Sequence, residues 1–330
     1  MFKDYGGILK IKGFYTSTIG SFPLDDSEAN RERCIKDLID LEIDFPAYPQ
    51  LTDMGKQFLD DLVRQGCGVI WENGKYKMAD KSIGFITQPL GLEPFLWTVK
   101  YVRERGLAFN VKAAITGPFT LASYIEVKAG TAPFNTALSD INLVEEIMQA
   151  VSETCRATSR DASMISIDEP ILGVIVGAKI PFKYTEVDVK RILNSIRDYC
   201  GETITGIHVC GRISHKLASI LLGTSMDFLS HEFHDSPENM KVYSPKDLRD
   251  SGKILSIGCV SSRDPRIESV EEILKLMKMF RDYGDCLIFT PDCGFRNLIV
   301  DGSREKGYEV AINKLRNMVE ATKRFRELMR

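Results

Sequence analysis

Short runs of β-branched and aromatic residues recur along the chain, and the segments between them carry apolar residues at helical spacing. Eight runs read as strands: 14–20 (FYTSTIG), 43–48 (IDFPAY), 111–116 (VKAAIT), 164–168 (MISID), 205–209 (TGIHV), 226–231 (MDFLSH), 254–259 (ILSIGC) and 286–290 (CLIFT). Segments 27–41, 185–200 and 269–284 and the C-terminal stretch read as helices with one apolar face. Ser269 with Glu272 ahead of an apolar run has the form of a capping box. In the last helix Leu315, Met318, Val319 and Leu328 form the apolar stripe, so its many basic residues read as a solvated face. The stretch 117–162 is long for one helix and reads as two.

Strands alternating with helices predict a parallel (β/α)8 barrel of the TIM type, one domain spanning 1–330. A doubly wound open sheet is the competing arrangement, but no Gly-x-Gly-x-x-Gly turn follows the first strand. One segment interrupts the repeat. Asn73-Gly74 stands between two alternating runs, which predicts an inserted β-hairpin near 69–78.

Charge and composition remove several classes. The chain of 330 residues has a formal net charge of -3, so no global basic field draws nucleic acid. No run approaches the roughly 18 apolar residues of a membrane span, and the opening stretch 1–13 reads as neither signal peptide nor anchor. These features predict a cytoplasmic protein without nucleic-acid or membrane partners. Its 8 cysteines then read as thiols or metal ligands rather than disulfides. Cys34, Cys155 and Cys200 lie in helix-like segments and read as small core residues.

The barrel reading gives the chemistry an address, because such folds collect function where strands end. Gly20 and Ser21 follow the first strand, Asp168 and Glu169 the fourth, His208 and Cys210 the fifth, Glu232 the sixth, and Asp292 and Cys293 the eighth. The strand middles read as largely apolar. Residues two apart on a strand share a side, so His208 and Cys210 both point into the mouth. With Cys293 and Glu232 they make a nitrogen, sulfur and oxygen set suited to Zn2+. The competing reading is two buried thiols and a hydrogen-bonded histidine. The other histidines, His215, His231 and His234, sit in the following helix, on the opposite strand face and at the rim. A carboxylate is a displaceable fourth ligand. A thiol substrate could replace Glu232 and be deprotonated there, while the Asp and Glu residues near the mouth offer counter-ions to an amine and Ser21 with the Gly20 backbone could meet a carboxylate. These residues predict a transferase acting on a small amino-acid-like thiol.

The motifs TSTIGSFP, IDEP, HVCG, HEF and TPDCG, in this order from Thr16 to Cys293, resemble the catalytic half of the cobalamin-independent methionine synthase family. The resemblance implies a zinc-binding barrel with ligands His208, Cys210, Glu232 and Cys293. It implies homocysteine bound by Ile19, Gly20, Ser21 and Asp168, with Glu93 of GLEP as a second acidic contact to the amine, and methyl transfer to sulfur giving methionine. Full-length members have two barrels and a histidine after the seventh strand. Here that stretch reads CVSSRDPRIES, with Arg263 near the histidine's place, which makes Asp168 and Arg263 the candidate catalytic residues. This chain looks like the short core form. That form implies a methyl-cobamide donor, methylcobalamin or a methylated corrinoid carrier protein, rather than methyl-folate. Two other readings are a zinc-dependent methyltransferase acting on another thiol such as coenzyme M, and a zinc-stabilised binding protein without turnover.

Overall fold

The computed structural model describes residues 12–330, so most of the opening stretch lies outside the described residues. The strands are β1 (Gly13–Thr16), β2 (Val69–Glu72), β3 (Lys75–Met78), β4 (Lys112–Thr116), β5 (Ile125–Glu126), β6 (Met164–Asp168), β7 (Ile204–Val209), β8 (Phe228–Glu232), β9 (Ile254–Gly258) and β10 (Cys286–Thr290). A 7-stranded parallel sheet runs in the order β1-β10-β9-β8-β7-β6-β4. Its two edges meet one extended segment. Ser17 bridges Phe45 on one side, and Ala47 bridges Lys112 on the other. The sheet thus curls round on itself as a (β/α)8 barrel, with residues 45–50 in the remaining place.

That segment corrects one expectation. Residues 43–48 form isolated bridges rather than a regular strand. Pro46 and Pro49 have no N–H to give a ladder, so Phe45 and Tyr48 donate instead, to Thr16 O and Lys112 O. The hairpin forms as expected: β2 and β3 pair antiparallel around Asn73 and Gly74. Both turn residues have positive φ, 52° and 77°, which Asn-Gly tolerates and most pairs do not. The two-residue strand β5 pairs beside β3. The stretch 117–162 holds two α-helices, Pro118–Tyr124 and Ile141–Thr158.

Helix starts follow local chemistry. Ser27 and Asp53 accept N–H bonds at the first turns of their helices, and Ser269 with Glu272 forms the expected capping box. In the last helix, Arg304–Leu328, Leu315, Met318 and Val319 are buried but Leu328 is exposed. The stripe therefore ends one turn earlier than its spacing suggests.

Alternation along the strands separates two layers. Ile165, Ile167, Ile207, Val209, Leu229 and Ile257 belong to the main core beneath the helices. Met164, Phe228, Ile254 and Ile288 form a separate apolar cluster that plugs the barrel interior. Above the plug the inward middle positions are Ser166, Ser230 and Ser256, all buried. The expectation of apolar strand middles fails on the inner face, where hydroxyls support the residues above them. No helix among the described residues is long and apolar enough to cross a membrane.

Candidate metal centre

The C-terminal ends of β7 and β10 bring three ligand groups together. Ligand atoms of His208, Cys210 and Cys293 all lie within 4.8 Å of one another. His208 Nε2 is 3.0 Å from Cys210 Sγ, which is 2.8 Å from Cys293 Sγ. His208 and Cys210 share a strand face as their spacing requires. Ser230 Oγ lies 3.1 Å from His208 Nδ1, so with Nδ1 protonated the ring donates to Ser230 and turns Nε2 toward the sulfurs. Cys293 arrives on the turn after β10. Gly294 lets this turn pack closely on Ser21, since a Cβ there would meet Ser21 Oγ at 2.0 Å and force that hydroxyl to turn away.

The electrostatics favour thiolate. Cys293 is drawn well below the ordinary thiol range, first by the Cys210 thiol beside it and, against burial, by His208. Cys210 is pushed well above that range, first by Cys293 and then by burial. The two sulfurs thus favour sharing one proton. Burial works against charge on His208, but Cys293 and Asp168 outweigh it and raise its pKa. An imidazole nitrogen, two sulfurs with thiolate character and an ordered second ring nitrogen fit a soft divalent ion such as zinc.

Glu232, at the end of β8, is fully buried but stands outside this group of three. Its Oε1 accepts from Arg263 Nη2 at 2.8 Å, and its Oε2 from Ser236 Oγ at 3.2 Å. It is close enough to Cys210 for its charge to raise that thiol.

Asp168 ends β6 beside His208, its strand partner. Ser166 Oγ donates to it at 2.7 Å. Burial raises its pKa to about 6, opposed by His208, Lys112 and Ser166. Lys112, at the start of β4, is buried and its pKa is pushed down to about 8. No partner for its ammonium lies among the described residues. Glu169, the next residue after Asp168, turns away from the mouth. It accepts from Phe119 N, Thr120 N and Thr120 Oγ1 at 2.9, 2.7 and 2.6 Å, fixing the start of helix Pro118–Tyr124.

Ser21 lies against the Cys293 turn, where Phe295 N donates to Ser21 O at 2.8 Å, while Gly20 packs beside Gln50 and Ala114. Glu93 is engaged by Arg31. Its carboxylate takes two bonds from Arg31, at 2.8 and 2.9 Å, and Arg31 also grips Asp26. No ion pair or hydrogen bond joins Glu93 to the three ligands among the described residues.

The other histidines are spent elsewhere. His231 is buried on the outer face between Val209 O and Tyr243 Oη. His215 begins helix His215–Leu222, and His234 contacts Asp235. A second potential group, His234, Asp235 and Asp292, is occupied by internal bonds. Asp292 accepts from the backbone N–H groups of Phe233, His234 and Asp235 at 3.0, 3.1 and 2.7 Å. The sequence reading counted Asp292 only as a polar rim residue. Its adjacency to Cys293 was visible, but its bonds to a different loop were not.

A sequence model of the family described as "Cobalamin-independent synthase, Catalytic domain" matches residues 92–324. The methionine synthase of Methanocaldococcus jannaschii is 28% identical over 330 residues, covering 93% of this chain and 98% of that protein. The methionine synthase of Methanothermobacter thermautotrophicus is 34% identical over 218 residues, 64% of this chain and 62% of that one. A putative vitamin-B12 independent methionine synthase structure from Listeria monocytogenes superposes with a TM-score of 0.66 at 14% identity, covering 96% of this chain and 99% of that one. A B12-independent methionine synthase from Shewanella sp. W3-18-1 gives 0.63 at 16% identity, over 95% and 98%. At such identities the two structures carry the fold, and the sequence matches carry the family.

Proposed function

This chain belongs to the cobalamin-independent methionine synthase family, and on that premise we propose that it is a zinc-dependent homocysteine methyltransferase producing methionine. The observation that carries the reading is the convergence of His208, Cys210 and Cys293 within 4.8 Å at two strand ends. These three residues would hold zinc, with Glu232 as a fourth, displaceable ligand. Bound zinc supplies Lewis acidity, lowering the pKa of a thiol substrate from its free value of about 8.5.

The chain's own groups do the rest. Asp168 in its ionised form receives the substrate amine, with Ser166 orienting the carboxylate. The Ile19-Gly20-Ser21 segment, whose Ser21 lies against the Cys293 turn, binds the substrate carboxylate. Ser230 keeps His208 Nδ1 protonated and its Nε2 free. Buried sides of the cluster exclude water from the sulfur. Glu93 serves the amine only if it leaves Arg31, so it stands second to Asp168. The residues 1–330 act as one domain.

The donor we favour is a methyl-cobamide, free methylcobalamin or a methylated corrinoid protein, because the loop after β9 presents Arg263 where the long enzymes have histidine. The test is a homocysteine methylation assay on zinc-loaded protein with methylcobalamin, a methylated corrinoid protein and methyl-folate in parallel. The expected result is methionine from the cobamide donors and about one zinc per chain. Transfer from folate alone would reverse the donor assignment. Absence of zinc after gentle purification would end the metal reading, and methylation of coenzyme M in preference to homocysteine would end the acceptor reading.

A further inference from the structure

Glu232 is the one proposed ligand that stands outside the cluster, and its alternative partner is specific. Arg263 Nη2 donates to Oε1 at 2.8 Å and Ser236 Oγ to Oε2 at 3.2 Å. We propose that Arg263 is a positioning residue that competes with the metal for Glu232 and keeps the fourth coordination position open for the incoming thiol. This inference rests on the zinc reading given above.

The physical case begins with burial. The Glu232 side chain is 1% exposed while that of Arg263 is 65% exposed. A buried carboxylate off the metal needs donors of its own, since one left alone is strongly destabilising, and Glu232 has no backbone N–H donor to its carboxylate among the described residues, only Ser236 and Arg263. Arg263 reaches in from solvent as the charged one, and a guanidinium holds a carboxylate with a directed, charge-assisted bond.

The loop beneath Arg263 is fixed accordingly. Ser261 Oγ accepts from the N–H groups of Arg263 and Asp264 at 3.2 and 3.0 Å, and donates to Asp235 at 2.7 Å. Ser261 N donates to Glu268 at 2.9 Å, and Glu268 forms a buried pair with Lys314 at 2.9 Å. The backbone of Arg263 is thereby anchored on two sides, and only its exposed head has freedom.

Glu232 then has two stations: ligation to the metal, or the Arg263 and Ser236 pair. An alternative partner lowers apparent affinity for the metal by the population it withdraws. It also means that an arriving thiol does not have to push a charged carboxylate into an apolar wall.

The test is a double-mutant cycle on the whole chain with Arg263→Met, Glu232→Gln and both together, reading zinc affinity by chelator competition and cobalt(II) absorption with and without homocysteine. In wild type, Glu232→Gln is expected to change zinc affinity less than about threefold. Arg263→Met is expected to tighten zinc about tenfold, to shift the cobalt spectrum of the homocysteine-free protein, and to weaken homocysteine binding about tenfold. The double variant returns all three to near the Glu232→Gln values. Arg263→Lys, which keeps the charge but not the fork, falls between. Equal spectra and affinities for wild type and Arg263→Met, in protein that binds one metal, would overturn the Arg263 assignment. Failure of wild type to bind metal would instead overturn the zinc reading beneath it.

Discussion

The end of β6 and the end of β10 are built on the same plan from different residues. Each presents two adjacent polar residues, Asp168-Glu169 and Asp292-Cys293, and in each pair one is saturated while the other is left for chemistry. Glu169 takes two N–H groups and a hydroxyl from the start of the helix after β4. Asp292 takes three N–H groups from the chain just beyond Glu232. Asp168, by contrast, has only Ser166 as a hydrogen-bond donor among the described residues, and Cys293 faces His208 and Cys210. Glu169 ties the end of β6 to that of its neighbour β4, and Asp292 ties the end of β10 across β9 to that of β8. They hold the open residues in register at a barrel mouth where loops alone would leave them loose.

The largest effect separates the open member from the clamp at β10. Cys293→Ser replaces a thiolate by a hydroxyl, a much poorer zinc ligand. Zinc retention and methyl transfer are expected to fall together by more than the roughly 100-fold typical of outer-shell changes, while the metal-free protein unfolds in urea near the wild-type midpoint. Full activity in this variant would remove Cys293 from the site.

The clamps invert that pattern. Glu169→Ala leaves three buried donors without their acceptor, and at about 1 kcal/mol or more per unsatisfied group it should cost roughly 3–5 kcal/mol of stability in the metal-free protein. Asp292→Ala should cost less, roughly 1–3 kcal/mol, because Phe233 N keeps Gly258 O as an acceptor and the N–H bonds of His234 and Asp235 are only partly buried. Urea unfolding of Glu169→Ala with an unchanged midpoint would show that the contacts with Phe119 and Thr120 do not restrain the fold.

Next comes the open carboxylate. Asp168→Asn keeps the Ser166 contact and removes the charge. It should raise the homocysteine KM about 10- to 100-fold, as expected for a lost hydrogen bond to a charged group, with stability within about 1 kcal/mol of wild type. An unchanged KM with homocysteine would move the amine contact elsewhere.

Much of this arrangement was legible before any coordinates. The alternating runs predicted the barrel, Asn73-Gly74 predicted the hairpin, and the His-x-Cys spacing with the Pro-Asp-Cys-Gly turn pointed to His208, Cys210 and Cys293, which converge, while Glu232, named with them, stands apart. The break in the second strand was missed, although Pro46 and Pro49 stand within or beside the run and cannot donate to a ladder. Other features depend on which segments become neighbours around the barrel, and no local pattern encodes that. Glu169 and Asp292 look like ligands by type and position, yet their partners are 49 and 57 residues or more away. Glu93 sits in a family-like motif, but Arg31, 62 residues earlier, takes its carboxylate. The inward serines at Ser166, Ser230 and Ser256 were hidden because a two-sided strand buries both faces, so hydrophobic runs do not report which residues line the inside.

The smallest effect concerns what supports the open carboxylate in place of N–H donors. Lys112 is buried, and its pKa is pushed down to about 8 by burial, with Asp168 pulling the other way. Its ordinary value is near 10.4. Between about pH 8 and 10.4 the unfolded chain therefore holds a proton that the folded chain has released. Stability from this group rises with pH across that window and is at its lowest below it. Lys112→Met removes the buried charge, so it should stabilise the protein at pH 7 by roughly 2–3 kcal/mol and flatten the rise between pH 8 and 10. The same change withdraws a positive charge that favours ionised Asp168, so the homocysteine KM should climb a few-fold while Glu169→Ala, in the clamp, leaves the Lys112-dependent rise in place. If Lys112→Met loses stability at pH 7, the ammonium is solvated or paired within the barrel and burial does not penalise its charge.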